Sequence, residues 1–253
     1  TVMFLFFALN FLTAVSTVLQ GVYTGGILHY DTLNNVSLNF PSLLGVGLGA
    51  LASWLVLARL RTGYKMATFI GFVLVVSYLI IMYFLISPDT NIEKLYLPVV
   101  LRNMGNTMIY IVLTTYLSQI IPFRHFFQSL CAVGFVREGI GGPIATAVVS
   151  RLFKITVQSN YYTLGGVLDS LNPVTVRLPF SIYFGELQRQ VILVSVKEVF
   201  GYAVLAGILL LIFILFARYT KVVHCIKVFR VPVVGRLFAM GFSKEGRKED
   251  TIR

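Results

Sequence analysis

Two adjacent charges, Arg137 and Glu138, stand inside the otherwise apolar run from Phe126 to Phe153. The run is long enough to cross a bilayer. A charge near its middle costs from ~3 kcal/mol upward, so it calls for a partner or a water-lined cavity. Glu138 is a candidate for carrying a proton in charge coupling, with a static ion pair to another helix as the competing role. The two neighbours are not expected to pair with each other, because successive side chains on an α-helix lie ~100° apart. On the same wheel Cys131, Gly134, Glu138, Gly141, Gly142 and Ala145 share one side, and Val133, Val136, Ile140, Ile144 and Ala147 the other. Glu138 is thereby placed at the centre of a small-residue face, with Arg137 on its flank. In a membrane, small faces mark close helix contact and apolar faces meet lipid.

A second group of polar residues is spread along two other segments. Asn10, Thr13, Ser16, Thr17, Gln20 and Thr24 form one helical stripe, and Arg102, Asn103, Asn106, Thr107, Tyr110 and Thr114 form another. Arg102 and Asn106, one turn apart, suit an anionic or polar ligand group in a wet cavity. The alternative for Arg102 is snorkelling to headgroups. Asn10, Thr17, Gln20 and Tyr110 offer hydrogen bonds and an aromatic wall to a mostly apolar ligand, or else serve as interhelical glue. Thr13 and Thr114 complete the candidate cavity. His29, His125 and His224 lie in separate segments without ligand spacing, and Cys131 and Cys225 are far apart, so neither a metal site nor a disulfide is expected. Without a reactive constellation near one membrane surface, no enzyme and no cofactor are expected.

The elements that must position these residues follow from composition. Of 253 residues, 57% are hydrophobic and only 12% charged, and the mean hydropathy is +0.83. These values define an integral membrane protein. The net charge of +11 is segregated into loops and tail and reads as a topology signal, not a nucleic-acid footprint. Six apolar segments near the ~20 residues of a span lie at about 2–27, 41–59, 66–86, 95–121, 126–153 and 196–218. Arg59, Arg61 and Lys65 follow the second, Arg124 the fourth, and a strongly basic tail, 219–253, the sixth. By the positive-inside rule these connections and both ends are cytoplasmic.

Residues 1–218 thus form the membrane bundle. Asn172-Pro173 and Leu178-Pro179 break the long fifth connection, 154–195, which is expected to fold back on the outer surface. The tail mixes cations with Val222, Val223, Ile226 and Phe229, suiting an anionic leaflet. Asn35-Val36-Ser37 matches a glycosylation tripeptide of low specificity. The chain begins at Thr1 inside a hydrophobic run without a charged leader, so it reads as part of something longer and not as a signal peptide.

The spans repeat in kind. The first and fourth are polar-striped. The second, with Gly45, Gly49 and Ser53, and the fifth are small-faced; the third and sixth are greasy and look lipid-facing. Three spans per unit put the second set into the membrane from the opposite side. The pattern is that of two inverted three-helix repeats, as in secondary transporters.

Three stretches resemble the major facilitator superfamily, in particular its fourteen-span drug:proton antiporter branch of EmrB and QacA type. Leu57-Ala58-Arg59-Leu60-Arg61-Thr62-Gly63-Tyr64-Lys65 is similar to its L-x-D-R-x-G-x-R/K turn, without the usual acid. Phe135-Val136-Arg137 with Gly141-Gly142-Pro143-Ile144-Ala145-Thr146-Ala147 looks like F-x-R-x-x-G-G-x-I-G-x-A of the penultimate span, with Glu138 outside that pattern. Ser195-Val196-Lys197-Glu198-Val199-Phe200 resembles the lead-in to the last span.

The resemblance implies the carboxy-terminal half of such a transporter, with a cavity lined by its first and fourth helices. It implies a missing amino-terminal half of six or eight helices that carries the coupling acids. The function expected is proton-coupled efflux of drugs or other small amphiphiles across a bacterial inner membrane, with lipids as neighbours. The alternative is a non-transporting scaffold that holds partners or lipids by its basic tail.

Overall fold

The computed structural model describes residues 2–28, 36–59, 63–88, 90–167 and 180–217, and these are helical apart from short connections. The helices are α1 (Val2–Val22), α2 (Asn39–Trp54), α3 (Tyr64–Leu85), α4 (Ile92–Ile120), α5 (Phe123–Gly134), α6 (Gly142–Val167) and α7 (Phe180–Phe216). Wide π-helical turns extend α1 through Tyr23–Ile27 and α2 through Leu55–Arg59, and a third, Phe135–Gly141, welds α5 to α6. Among the described residues five stretches are long and apolar enough to cross a membrane: Val2–Ile27, Asn39–Ala58, Tyr64–Leu85, Arg124–Gly166 and Phe184–Phe216. The chain is a helical membrane protein. At 29 residues α4 is also long enough to span, but its polar stripe makes it less apolar than the other five.

Local chemistry sets the boundaries. The Asn91 side chain accepts from the Ile92 backbone N–H at 3.1 Å and opens α4, with Glu93 favourably placed in the first turn. Pro122 separates α4 from α5, since the residue before a proline is pushed out of the α region. The π turn at Phe135–Gly141 lies directly before Pro143, whose ring lacks an N–H and crowds the carbonyl four residues back. The chain answers with a wider loop, in which the Gly142 N–H bonds the Arg137 carbonyl five residues earlier.

Packing follows the small residues. A Cβ on Gly45 would lie 2.6 Å from the Val100 carbonyl oxygen, and one on Gly49 2.6 Å from that of Met104, so α2 and α4 touch backbone to backbone. On the other side of α4, Gly105 faces Gly71 of α3, a Cβ on Gly105 coming within 2.9 Å of the Gly71 oxygen. The helix α3 also packs on α7, α7 on α6, and α6 on α1. Phe4 of α1 meets Phe213 of α7 edge to face at 5.1 Å, and Lys65 donates to the Leu215 carbonyl, tying the start of α3 to the end of α7. Leu5, Phe6, Leu19, Phe72, Leu79, Met82, Leu95 and Phe200 fill the core.

Two expectations are corrected. The third span is not lipid-facing: α3 buries Ala67, Phe72, Val75, Val76, Tyr78, Leu79 and Met82 between α4 and α7. The small face of α2 packs as expected through Gly45, Gly49 and Ser53, while its other side exposes Phe40, Leu43, Leu48, Leu51 and Trp54. Hydropathy cannot separate these cases, because a face on protein and a face on lipid are equally apolar. Span limits also move, since the fifth span runs on to Val167 and the last begins at Phe180, so 154–167 and 180–195 are helix and not a fold-back. Both Asn172-Pro173 and Leu178-Pro179 lie outside the described residues, as do Asn35, Arg61 and the tail 219–253.

Candidate functional site

The two polar stripes meet where α1 crosses α4. Arg102 Nη1 donates to Gln20 Oε1 at 2.8 Å, and its guanidinium lies 5.7 Å from the ring centre of Tyr78, contributed by α3. One turn along, Thr13 Oγ1 approaches Asn106 Oδ1 at 3.5 Å, a weak contact beside its 2.8 Å bond to the Leu9 carbonyl. Thr17 and Thr114 turn their hydroxyls back to their own helices, Thr17 to the Thr13 and Ala14 carbonyls and Thr114 to those of Tyr110 and Ile111. Asn103 bonds Ser42 of α2 at 2.9 Å and acts as interhelical glue.

Above this crossing lies a cleft of about 360 Å³ lined by Thr17, Gln20, Gly21, Thr24, Gly25, Leu38, Asn39, Ser42, Val99 and Arg102. Thr17, Gln20 and Arg102 were expected there. Asn10, Thr13, Asn106, Tyr110 and Thr114 lie outside this lining, farther along the seam. Asn39 and Ser42 were not expected; the signal available for Ser42 was its position one turn before Gly45 on the small face of α2. Thr17, Gly21 and Gly25 are exposed at the rim, so the cleft opens to the surface.

The other end of the seam holds Arg137 and Glu138. Contrary to expectation they pair with each other, Arg137 Nε lying 3.1 Å from Glu138 Oε1. The wheel assumed a regular α-helix, whereas both residues sit in the π turn, where the angle between consecutive side chains is smaller and the flexible Arg137 closes the gap. The Arg137 guanidinium also stacks 4.4 Å above the Tyr110 ring, and its carbonyl accepts from Asn10 Nδ2 at 2.8 Å.

Glu138 is not the centre of a packed face, its side chain being 75% exposed. Gly141 does pack, against Asn10, but a Cβ on Gly134 would meet nothing, and one on Gly142 would touch only the Arg137 oxygen at 3.7 Å. Of the three glycines on the small face only Gly141 packs tightly against α1, and Ala145 of the same face is fully buried. Glu138→Gln is expected to change stability by less than ~0.5 kcal/mol, because exposed pairs contribute little. Denaturant unfolding of the full-length protein measures it.

Among the described residues no group of three His, Cys, Asp or Glu side chains is placed to hold a metal. No protein-family model matches the chain, and no curated protein matches it either.

Proposed function

We propose that this chain is the carboxy-terminal half of a secondary active transporter of the major facilitator type, working by alternating access against an amino-terminal half. The observation that carries the reading is the meeting of the polar stripes of α1 and α4 beside an open cleft of about 360 Å³, through Arg102 and Gln20 at 2.8 Å. An arginine on a polar stripe at membrane depth is the kind of residue that marks a substrate path. Helix neighbours support the inverted repeat. Exchanging the first three spans for the last three carries the contact of α2 with α4 onto that of α6 with α1, and that of α3 with α4 onto that of α7 with α1.

The transport proposed is proton-coupled efflux of small amphiphiles at a bacterial inner membrane, both ends of the segment being cytoplasmic. The π turn fits a coupling or hinge role, since such turns recur at functional sites. Vesicles holding the intact parent protein are expected to move an amphiphilic dye against its gradient when a proton gradient is imposed. Failure of every dye and drug tried would overturn the reading in favour of a non-transporting scaffold. Retention of coupling by Glu138→Gln would remove that carboxylate from the mechanism while leaving the rest in place.

A further inference from the structure

The charge in the cleft defines what it takes. Among the described residues its lining contains the Arg102 guanidinium and the side chains of Thr17, Gln20, Thr24, Asn39 and Ser42, and no carboxylate. The ion pair between Arg137 and Glu138 is the only one among the described residues, so Arg102 has no acidic partner there. Gln20 satisfies Nη1 through a neutral oxygen, and the buried Nε has no hydrogen-bond partner. Tyr78 brings its ring and a neutral hydroxyl to the guanidinium, and no negative charge. A guanidinium carries five donors in a planar fork that matches a carboxylate, sulfonate or phosphate in two-point contact. Unpartnered positive charge inside a membrane helix is unfavourable, and an incoming anion relieves it.

We infer that the α1–α4 cleft binds the anionic group of an amphiphile on Arg102, with Gln20, Asn39 and Ser42 as neutral donors around it, and discriminates against cationic amphiphiles. The inference rests on the transporter reading for its biological use, but its test is binding and needs no gradient.

The full-length protein in nanodiscs of zwitterionic lipid is titrated with octanesulfonate and, separately, with octyltrimethylammonium, which has the same tail and the opposite charge. Saturable binding is expected for the sulfonate only. Arg102→Gln is expected to weaken it roughly ten- to hundredfold, the range for losing a charge-assisted pair. Because Arg102→Gln could also disturb folding, Gln20→Glu is the second variant. It sets a carboxylate where the amide oxygen lies 2.8 Å from Arg102, giving the cation an internal partner. Gln20→Glu is expected to keep or raise the thermal midpoint while abolishing sulfonate binding.

Equal or tighter binding of the ammonium probe, or full sulfonate binding by both variants, would overturn the inference. Competition by phosphatidylglycerol would make the bound anion a lipid headgroup, and lack of competition a free amphiphile; either keeps the anion site. Sulfonate binding without transport by the parent would sink the transporter reading alone. Transport of a cationic dye unaffected by Gln20→Glu would sink the anion site alone.

Discussion

Gly49→Leu is expected to destabilise the protein by more than about 3 kcal/mol, the upper end for overpacking, because the obstacle is backbone and not a movable side chain. A Cβ at Gly49 would sit 2.6 Å from the Met104 carbonyl oxygen, 3.0 Å from Met104 Cα and 3.0 Å from Thr107 Cβ. Relief requires α2 to move away from α4, which also withdraws Ser42 from Asn103 and from the cleft. The control lies two residues away on the same helix, where a Cβ on Gly47 would meet nothing within 4 Å. Gly47→Leu should therefore match or slightly exceed the parent, since leucine is the better helix former by about 0.5–1 kcal/mol. Thermal unfolding of the two variants of the full-length protein decides the matter. Equal losses would show that α2 is not held by this contact.

Gly21→Trp should do the reverse, sparing the fold and stopping transport. No atom lies within 4 Å of a Cβ placed on Gly21, and the residue is exposed on the cleft wall between Gln20 and Thr24. An indole there has space to stand, removes a glycine from a helix interior and fills much of a volume of about 360 Å³. The expected outcome is an unchanged or raised Tm with proton-driven efflux reduced at least tenfold, roughly 1.4 kcal/mol in the relevant barrier. Undiminished efflux with a bulky ring in place would mean that the substrate travels elsewhere. Gly134→Trp serves as the control, because Gly134 faces open space outside the cleft.

Helical class, the polar stripes and the sequence spacing of Gly45 and Gly49 were all legible in the sequence. Each is a periodicity, and periodicity survives without coordinates. The neighbours of each helix were not legible. The glycines Gly71 and Gly105 each stand alone in their own spans, and only the crossing of α3 and α4 makes them partners. The central position of α3 was hidden because Phe72, Leu79 and Met82 would suit lipid as well as they suit protein. At the site, the wheel placed Gln20 and Arg102 on the right stripes but could not show that they touch. The pairing of Arg137 with Glu138 escaped because it depends on a change of helical pitch before Pro143, which a fixed 100° step cannot represent. The connection before the last span reads as the 42 residues 154–195 because a proline dipeptide breaks helix only locally, and sequence does not show how near to it helix runs: α6 reaches Val167 and α7 begins at Phe180.

The helical rod from Arg124 to Gly166 has 43 residues, about 65 Å at 1.5 Å per residue, roughly twice a hydrocarbon core of about 30 Å. At 37 residues, α7 is about 56 Å long. Asn160, near the end of the first rod, donates to Ser195 Oγ and to Glu198 Oε2 at the middle of α7, both at 3.0 Å. The π turn beside Arg137 interrupts the longer rod and is where a pivot would sit. From that turn to Gly166 is about 38 Å, so a tilt of some 10° at the pivot sweeps the tip through roughly 7 Å. Were the rod to tilt there, a spin-label or fluorophore pair with one member near Gly166 would register it, far from the cleft itself.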